Sequence, residues 1–349
     1  MRTTIIHAAG DIRVEERPDP VILGPGDALI RTVAACVCGS DLWPYRGIVP
    51  TRQPHPMGHE LVGVVEAIGD DVQTVKAGDF VISPFSLSDG TCQACRAGYP
   101  SVCAHVTFFG STDRDGFAVD GAQGELVRIP LADGSLVVVP GAVDEALIPS
   151  LLALSDVMST GHHAAVSAGV GPATTVVVVG DGAVGLSGVL AAARLGAPRI
   201  IAMSRHDDRA ALAREFGATD VVAERGDAGI AAVRDLLGGD LADSALECVG
   251  TKESMNQAIG SVRGGGRVGY VGVPNGGAEL PIGRLFAANL TVGGGMAPAR
   301  QYIPELLPEV LDGRLNPGRV FDLELPLEKV AEAYAAMDER RAIKVLLRP

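Results

Sequence analysis

The sequence predicts an α/β protein that combines a mostly-β region with a doubly wound parallel sheet. Four consecutive valines, Val176–Val179, run into the residues G-D-G-A-V-G at 180–185, which indicates a buried strand, a tight turn and a helix. From about residue 146, strand-like and helical runs alternate, as is typical of a parallel sheet covered on both faces. Residues 1 to about 130 instead contain short apolar runs separated by Pro and Gly, which predict a partly open barrel or sandwich.

The strands predicted for the first region are short apolar or alternating runs, each bounded by turn residues. Turns such as Gly24-Pro25-Gly26-Asp27 and Lys76-Ala77-Gly78-Asp79 separate them. The predicted strands are Thr3–Ala8, Ala28–Ala35, Leu61–Ile68, Phe80–Ser83 and Glu125–Ile129. Within this region, residues 89–105 form a cysteine-rich lobe with little apolar content.

The second region predicts strands and helices in alternation, and the chain then returns to a mixed pattern. The alternating runs are Val176–Val179, Leu186–Leu195, Ile200–Met203, Asp208–Phe216, Val221–Val222, Ile230–Leu237, Ser244–Cys248, Lys252–Ala258 and Arg267–Val271. After Leu290, the sequence predicts a Gly-rich turn at 293–295, an apolar-periodic stretch, a strand, a helix and a final strand. The last four of these are Ile303–Leu311, Val320–Leu325, Leu327–Met337 and Ile343–Leu347.

The glycine-rich turn at residues 180–185 predicts a site for the pyrophosphate of a dinucleotide. Gly180 allows the tight turn, Gly182 lets the backbone approach the phosphates, and Gly185 lets the helix pack closely on the strand. Ala183 and Val184 are also expected to bind the cofactor, since they lie in this turn next to a helix predicted from about Leu186, and a helix N-terminus favours an anion. The motif is weak alone, but the strand directly before it and the helix directly after it favour the dinucleotide interpretation over an ordinary Gly-rich turn.

Length, charge and cysteine spacing narrow the class of protein. A chain of 349 residues suggests two domains, and a formal net charge of −13 argues against nucleic acid or an anionic membrane surface as the partner. No apolar run approaches the ~20 residues that span a bilayer, and no signal peptide is predicted, so a cytoplasmic location is expected. The six cysteines are closely spaced in part, which in such a chain indicates metal binding more often than disulfides.

Three separated residues make a plausible ligand set for a catalytic zinc with an open fourth position. Cys38 follows a predicted strand, His59 precedes another, and Asp156 opens the second half of the chain. Together they offer a thiolate, an imidazole and a carboxylate. Taken singly, His59 is more often a hydrogen-bonded polar residue and Cys38 a small buried apolar one, and their distance in sequence leaves those interpretations open.

The order of these motifs resembles the zinc-dependent medium-chain dehydrogenase/reductase family, the alcohol dehydrogenases. The motifs are C-G-S-D at 38–41, G-H-E at 58–60, G-D-F-V at 78–81, the cysteine lobe, S-D-x-x-x-T-G at 155–161 and G-x-G-x-x-G at 180–185. The resemblance covers essentially the whole chain. It implies a GroES-like, mostly-β catalytic domain interrupted by a Rossmann cofactor domain. We expect residues 1–150 with 292–349 to form the first domain, including zinc lobe 89–105, and residues 151–291 to form the second.

The resemblance also implies roles for individual residues. Cys38, His59 and Asp156 match the catalytic zinc ligands, and Ser40 matches the hydroxyl that hydrogen-bonds the substrate oxygen and relays its proton. Glu60 matches a carboxylate beside the metal that can bind it. Because adjacent side chains of a strand face opposite ways, we expect Glu60 to lie behind His59 rather than on the ion.

Two further residues have open interpretations. Trp43 lies where the family places a pocket-lining side chain, but it could equally pack in the core of the small barrel. Lys344 lies where the family often has a basic residue near the cofactor, but a solvated lysine is an equal alternative.

The cysteine lobe resembles the structural zinc lobe of the family, which usually carries four cysteines. Cys92, Cys95 and Cys103 match the last three of these, and Asp89 stands at the position of the first. A carboxylate can complete a tetrahedral zinc site. Two zinc ions per chain are therefore expected. The alternatives are three free thiols or a lobe that has lost its metal.

The end of the second Rossmann strand predicts NADP(H) rather than NAD(H). An NAD site places an acidic residue there to hold the ribose 2′-hydroxyl, whereas this chain has Ser204, followed at once by Arg205. Arginine offers donors suited to a 2′-phosphate, and Arg209 lies one turn further on. The nearby Asp207 and Asp208 are interpreted as the N-terminal region of the next helix.

The predicted function is hydride transfer between NADP(H) and an alcohol or carbonyl compound bound at the catalytic zinc. The partner is then a small alcohol, aldehyde or ketone, and a homodimer or homotetramer is expected from the family. Two alternatives stay open at this point. One is an enzyme of the same superfamily that acts on a polyol, a sugar or a thiol adduct. The other is an NADP(H)-binding redox sensor without turnover.

Overall fold

The protein divides into two compact units. The structure, a computed structural model, describes residues 1–49, 54–274 and 279–349. Met1–Asp156 and Pro298–Pro349 form the first unit, and Val157–Ala297 form the second.

The strands of the described residues are numbered in chain order. They are β1 Arg2–Ala8, β2 Asp11–Glu16, β3 Ala28–Cys36, β4 His55–Pro56, β5 Leu61–Ile68, β6 Phe80–Ser83, β7 Ser86–Leu87, β8 Thr107–Phe108, β9 Leu126–Ile129, β10 Val137–Val138, β11 Thr175–Val179, β12 Arg199–Met203, β13 Asp220–Val222, β14 Ala242–Glu247, β15 Val262–Tyr270, β16 Thr291–Gly294, β17 Phe321–Pro326 and β18 Lys344–Arg348.

The α-helices are numbered in the same way. They are α1 Leu42–Tyr45, α2 Gln93–Arg96, α3 Ala132–Ser135, α4 Ile148–Leu154, α5 Val157–Ser167, α6 Ala183–Arg194, α7 Asp207–Glu215, α8 Gly226–Leu236, α9 Lys252–Gly260, α10 Ile282–Ala287, α11 Ala299–Leu311 and α12 Val330–Asp338. Short 3-10 turns span Pro100–Val102, Glu145–Leu147, Pro317–Val320 and Leu327–Lys329. Within the ranges that the structure describes, no helix has the length and apolar character that crossing a membrane requires.

The first unit is built around one large, mostly antiparallel sheet. Its strand order is β10-β6-β5-β3-β18-β17, and β9 also pairs with β3. Strand β3 alternates in burial along its first half, so one face packs on a core that contains Ile30, Leu61 and Val127. A three-stranded sheet, β2-β1-β4, and the pair β7-β8 complete the unit. The predicted mostly-β region is confirmed.

The second unit is a six-stranded parallel sheet with the order β13-β12-β11-β14-β15-β16. Strand β11 lies inside the sheet, and Val176–Val179 are fully buried, which explains the unbroken apolar run. Successive strands are added first on one side of β11 and then on the other. The order therefore reverses at β11, and this reversal creates a crevice at the carboxyl ends of the strands. The predicted doubly wound sheet is confirmed.

The predicted turn at residues 293–295 is wrong in part, because Gly293 and Gly294 belong to edge strand β16. They pair with Gly269 and Tyr270 of β15. A Cβ at Gly294 would lie 2.1 Å from the carbonyl oxygen of Tyr270, and its φ is +130°. The glycine here therefore permits a close approach of two strands, which the sequence pattern alone does not distinguish from a turn.

Candidate metal centres and nucleotide-binding loop

Four metal-binding side chains meet in the first unit: Cys38, His59, Glu60 and Asp156. One ligand atom from each lies within 4.8 Å of the others. Asp156 Oδ2 lies 3.6 Å from the Cys38 sulfur and 3.4 Å from His59 Nε2. Zinc bonds of about 2.0–2.3 Å in a tetrahedron place ligand atoms about 3.3–3.8 Å apart, so the spacing suits that ion.

Sheet pairing brings these distant residues together. Strands β3 and β5 are antiparallel neighbours, and Ala35 pairs with Leu61, so the end of β3 meets the start of β5. Cys38 lies just beyond β3, and His59 lies just before β5. Helix α4 packs against both strands, and Asp156 follows its C-terminus.

The strand alternation that would turn Glu60 away from His59 does not apply to this backbone. Residues 57–60 lie outside any strand, and Gly58 has a φ of +89°, so the alternation of a strand does not apply to them. Glu60 joins the cluster, with Oε1 4.0 Å from His59 Nε2. Its Oε2 is buried and has no hydrogen-bond partner among the described residues. An orphaned carboxylate oxygen beside three other donors fits a metal ion.

Asp41 orients His59 from the side opposite the cluster. Its Oδ1 lies 3.4 Å from His59 Nδ1, while its Oδ2 accepts hydrogen bonds from the Cys38 backbone N–H and from Gln123. Burial disfavours the imidazolium, but Asp41 and the other nearby anionic groups outweigh burial and raise the pKa of His59 well above its usual value. No role for Asp41 was predicted from the sequence, although its place three residues after Cys38 in C-G-S-D was a usable signal.

Lys344 is buried and holds Glu60, so the interpretation as a solvated lysine is wrong. Its Nζ lies 2.7 Å from Glu60 Oε1 and donates to the backbone carbonyl of Val37 at 3.2 Å. The exposed fractions of the Lys344 and Glu60 side chains are 1% and 0%. Burial opposes the ammonium charge, but the acidic groups around it outweigh burial and raise the pKa of Lys344 well above its usual value.

Lys344→Met is expected to lower the free energy of unfolding by about 3 kcal/mol, because it leaves the Glu60 carboxylate buried without its cation. Denaturant unfolding monitored by circular dichroism measures this. Lys329→Met is the matched control, since Lys329 is more than half exposed and forms an ion pair with exposed Glu332. We expect the control to change stability by less than about 1 kcal/mol. Equal losses for both variants would contradict a stabilising role for the buried pair.

A cavity of about 130 Å³ opens beside the first cluster. Ser40 and His59 line it, together with Asp41, Pro44, His55, Pro56, Met57, Gly58 and Phe109. Ser40, whose hydroxyl is predicted to bind the substrate oxygen, therefore lines the same cavity as His59, a predicted metal ligand. Trp43 is half-buried and is not among the lining residues of this cavity.

The cysteine lobe forms a second cluster in the same unit, made of Asp89, Cys92, Cys95 and Cys103. The sulfur of Cys92 lies 3.5 Å from that of Cys95 and 3.8 Å from that of Cys103. All three thiols are free, so no disulfide links them. Backbone N–H groups of Ala104 and Cys95 lower the pKa of Cys92 to about 7, which favours its thiolate.

Asp89 is oriented toward this cluster by three donors. Its Oδ1 accepts from the backbone N–H groups of Thr91 and Cys92 at 2.7 and 2.9 Å. Its Oδ2 lies 2.7 Å from Nδ1 of His105. No role for His105 was predicted from the sequence, although its place two residues after Cys103 was a signal.

The glycine loop of the second unit leaves its helix N-terminus uncapped by any side chain. Gly182 is the extended N-cap of α6. A Cβ at Gly182 would meet no heavy atom of the described residues within 4 Å, whereas one at Gly185 would lie 1.9 Å from the carbonyl oxygen of Gly180. The backbone N–H groups of Ala183 and Val184 therefore lie beside open space, in an arrangement that suits a phosphate.

Two of the predicted cofactor-selecting residues, Ser204 and Arg209, contact Asp181, a residue that no sequence pattern singled out. Ser204 is buried, and its hydroxyl donates to Asp181 Oδ2 at 2.9 Å. Arg209 Nη1 donates to the backbone carbonyl of Asp181, and Arg225 Nη2 lies 3.7 Å from its carboxylate. Arg205 is exposed. Arg225 lies far from the loop in sequence, and no local pattern marked it.

Asp207 and Asp208 belong to helix α7. Both lie in the first turn of α7, whose N-cap is His206, and both are exposed. Acidic residues in a first turn stabilise the helix dipole. Their interpretation as part of the N-terminal region of this helix is confirmed.

Comparison with known proteins places the whole chain in one family. Residues 24–141 match the alcohol dehydrogenase GroES-like domain, and residues 183–312 match the zinc-binding dehydrogenase domain. The chain is 34% identical to a probable zinc-binding alcohol dehydrogenase of Mycobacterium tuberculosis, over 100% of this chain and 89% of that protein. It is 32% identical to zinc-type alcohol dehydrogenase B of Aspergillus flavus, over 100% and 81%.

A solved structure agrees with these relatives. The alcohol dehydrogenase TADH from Thermus sp. ATN1 superposes with a TM-score of 0.91 at 33% identity, and the match covers 100% of this chain and 99% of that one. The predicted resemblance is confirmed. The chain belongs to the zinc-dependent alcohol dehydrogenases of the medium-chain dehydrogenase/reductase family, oxidoreductases that act on small-molecule alcohols.

Proposed function

We propose that this protein transfers a hydride between NADP(H) and an alcohol or carbonyl substrate whose oxygen is held at a zinc ion in the first cluster. The observation that carries the proposal is the convergence of Cys38, His59 and Asp156 beside a cavity that Ser40 also lines. Zinc bound there would supply a Lewis acid that polarises the substrate oxygen.

The protein's own residues would hold and tune that site. The Cys38 thiolate and the Asp156 carboxylate carry two negative charges, which balance a divalent cation. Burial raises the pKa of the Cys38 thiol, so its thiolate needs a cation beside it. Asp41 holds His59 Nδ1, which leaves Nε2 as the donor to the ion. Lys344 neutralises Glu60, so the additional carboxylate leaves the local charge unchanged.

Ser40 would bind the substrate oxygen and move its proton. A hydroxyl can accept and donate at the same time, which a relay between a substrate and solvent requires. Ser40 is half-buried in the wall of the cavity that His59 also lines. This position supports the role that the resemblance implies for Ser40.

The preference for NADP(H) is supported by the charges near the end of β12. Ser204 occupies the position of the usual acid, and arginines come from three places: Arg205, Arg209 and Arg225. Guanidinium groups bind a phosphate through charge-assisted hydrogen bonds. The phosphorylated cofactor is therefore the one that this charge distribution favours.

Arg205→Ala is expected to weaken the binding of NADPH about tenfold, because the loss of one hydrogen bond to a charged group has an effect of this size. The affinity for NADH should change less than about twofold, since it has no 2′-phosphate. Equilibrium titration of nicotinamide fluorescence measures both. The control is Arg214→Ala, which removes an exposed arginine from the last turn of α7, the helix that follows Arg205. Equal weakening of both cofactors by Arg205→Ala would contradict the assignment.

The second cluster is proposed to hold a structural zinc through Asp89, Cys92, Cys95 and Cys103. The three sulfurs and one carboxylate oxygen make a closed four-ligand set, with no position left for a substrate. The lobe contains few buried apolar side chains, so a metal would supply the cohesion that a core cannot.

A homo-oligomer is proposed from exposed apolar side chains in the second unit. Phe286 and Ile282 of α10 are 86% and 65% exposed. Large apolar side chains that lie close together are seldom this exposed on the surface of a monomer. Light scattering at micromolar concentration tests this, and a mass equal to one chain would contradict it.

Turnover with a panel of substrates tests the catalytic proposal. Purified protein is mixed with primary and secondary alcohols and NADP+, or with aldehydes and ketones and NADPH, and nicotinamide absorbance is followed. We expect turnover that a chelator abolishes and added zinc restores. Turnover confined to polyols, sugars or thiol adducts would change the substrate class. Binding of NADPH without turnover on any substrate would favour a redox sensor.

A further inference from the structure

The carboxylate of Asp181 lies beside Ser204, the residue at the position where an NAD site has its acid, although Asp181 comes from a different segment. Asp181 is the second residue of the glycine loop. Its side chain is only 14% exposed, and its Oδ2 accepts the hydroxyl of Ser204 at 2.9 Å. In an NAD site, the residue at the position of Ser204 is itself the acid that holds the ribose 2′-hydroxyl. The loop therefore supplies the charge that the strand lacks.

Two arginines from separate elements approach the same carboxylate. Arg209 of α7 lies 3.7 Å from Oδ1, and Arg225, at the start of α8, lies 3.7 Å from Oδ2. The two arginines therefore form ion pairs with the Asp181 carboxylate at distances longer than a hydrogen bond. Both guanidinium groups can therefore remain near Asp181 and still direct donors to an incoming phosphate.

We infer that Asp181 limits the discrimination between the two cofactors: its carboxylate accepts the ribose 2′-hydroxyl of NAD(H) and repels the 2′-phosphate of NADP(H). The arginines act in the opposite direction and attract that phosphate. The inference rests on the proposed function, since it assumes a dinucleotide at this loop. It makes the protein NADP(H)-preferring yet able to use NAD(H), and it assigns the residual NAD(H) binding to one side chain.

Asp181→Asn in the full chain tests this inference. We expect the ratio of the dissociation constants, NADH over NADPH, to rise about tenfold, which lies between the aqueous and protein-surface limits for two charges about 4 Å apart. Nicotinamide fluorescence gives both constants. Calorimetry with 2′,5′-ADP and 5′-AMP gives the same ratio without the nicotinamide, so the readout does not depend on turnover.

Two matched variants separate the local contact from general effects. Asp181→Glu keeps the charge and should keep the wild-type ratio within about threefold. Asp208→Asn removes an exposed carboxylate from the next helix and should also leave the ratio nearly unchanged. An unchanged ratio in Asp181→Asn would overturn the inference. So would an equal shift in Asp208→Asn, or an equal loss of both cofactors in Asp181→Asn, which would indicate a structural role alone.

The same titrations distinguish failure of the proposed function from failure of the inference. If wild-type protein binds NADH as tightly as NADPH, the proposed preference fails, whereas a tenfold rise of the ratio in Asp181→Asn still supports the inference. If wild-type protein prefers NADPH and the ratio in Asp181→Asn does not move, the preference stands and the inference fails.

Discussion

Cys38→Ser is expected to reduce the zinc content from two ions per chain to one and to lower kcat/KM at least about a thousandfold. Serine keeps the shape of the side chain but is a poor zinc ligand at neutral pH, because its hydroxyl stays protonated. Losing the ion removes several kcal/mol of charge stabilisation at the substrate oxygen, and about 4 kcal/mol corresponds to that factor. Elemental analysis and steady-state kinetics measure the two effects.

The control for the zinc measurement is Cys248→Ser. Cys248 is a half-buried free thiol in the second unit and belongs to neither metal cluster, so two ions should remain. A Cys38→Ser protein that kept both ions, or that kept wild-type kcat/KM with one, would remove Cys38 from the proposed metal site.

Cys103→Ser is expected to remove the other zinc ion and to open the lobe at residues 89–105. The lobe has few buried apolar side chains, so the free energy of metal binding is the main stabilising contribution. Arg96 lies in the middle of the lobe and is exposed. Trypsin should therefore cleave after Arg96 at least about tenfold faster in this variant, because the unfolded backbone around Arg96 can enter the active site of the protease. Mass spectrometry of timed digests identifies the cut.

Val102→Ser is the matched control for this change. Val102 lies next to Cys103, is 56% exposed and offers no metal ligand, so zinc content and cleavage rate should stay as in the wild type. If wild-type protein carries one ion and Cys103→Ser still carries one, the lobe holds no metal. Equal cleavage of both variants would show that the metal does not stabilise the lobe.

The first metal cluster was predictable from the sequence in its chemistry but not in its complete membership. Cys38, His59 and Asp156 stood out because their motifs occur in a recognisable order along the chain. Glu60 was expected to face away, on the assumption that the alternation of a strand extends to residues 59 and 60. Strand β5 begins at Leu61, as predicted, and Gly58 has a positive φ, so that alternation does not reach these two residues. The positive φ of a single residue changes the direction in which the following side chains point.

The residues that support the cluster were harder to predict because they come from distant strands. Lys344 reaches Glu60 because β18 pairs beside β3, a contact across nearly the full length of the chain. Gln123 also lies far from Asp41 in sequence, and the folded chain brings its side chain to the Asp41 carboxylate. Hydrophobic periodicity identifies a strand but does not name its neighbours, since sheet pairing depends on long-range packing.

The class of fold, the glycine loop and the types of side chain in both clusters were predictable from the sequence alone. Those features depend on local patterns: strand and helix periodicity, glycines at a sharp turn, and cysteines at close spacing. Contacts made in the folded chain bring Glu60 into the first cluster and bury Lys344 as its counter-charge. They also place Asp181 beside Ser204, near Arg209 and Arg225. These contacts join side chains from separate strands and loops, and their energies depend on burial and distance, which exist only in the folded chain.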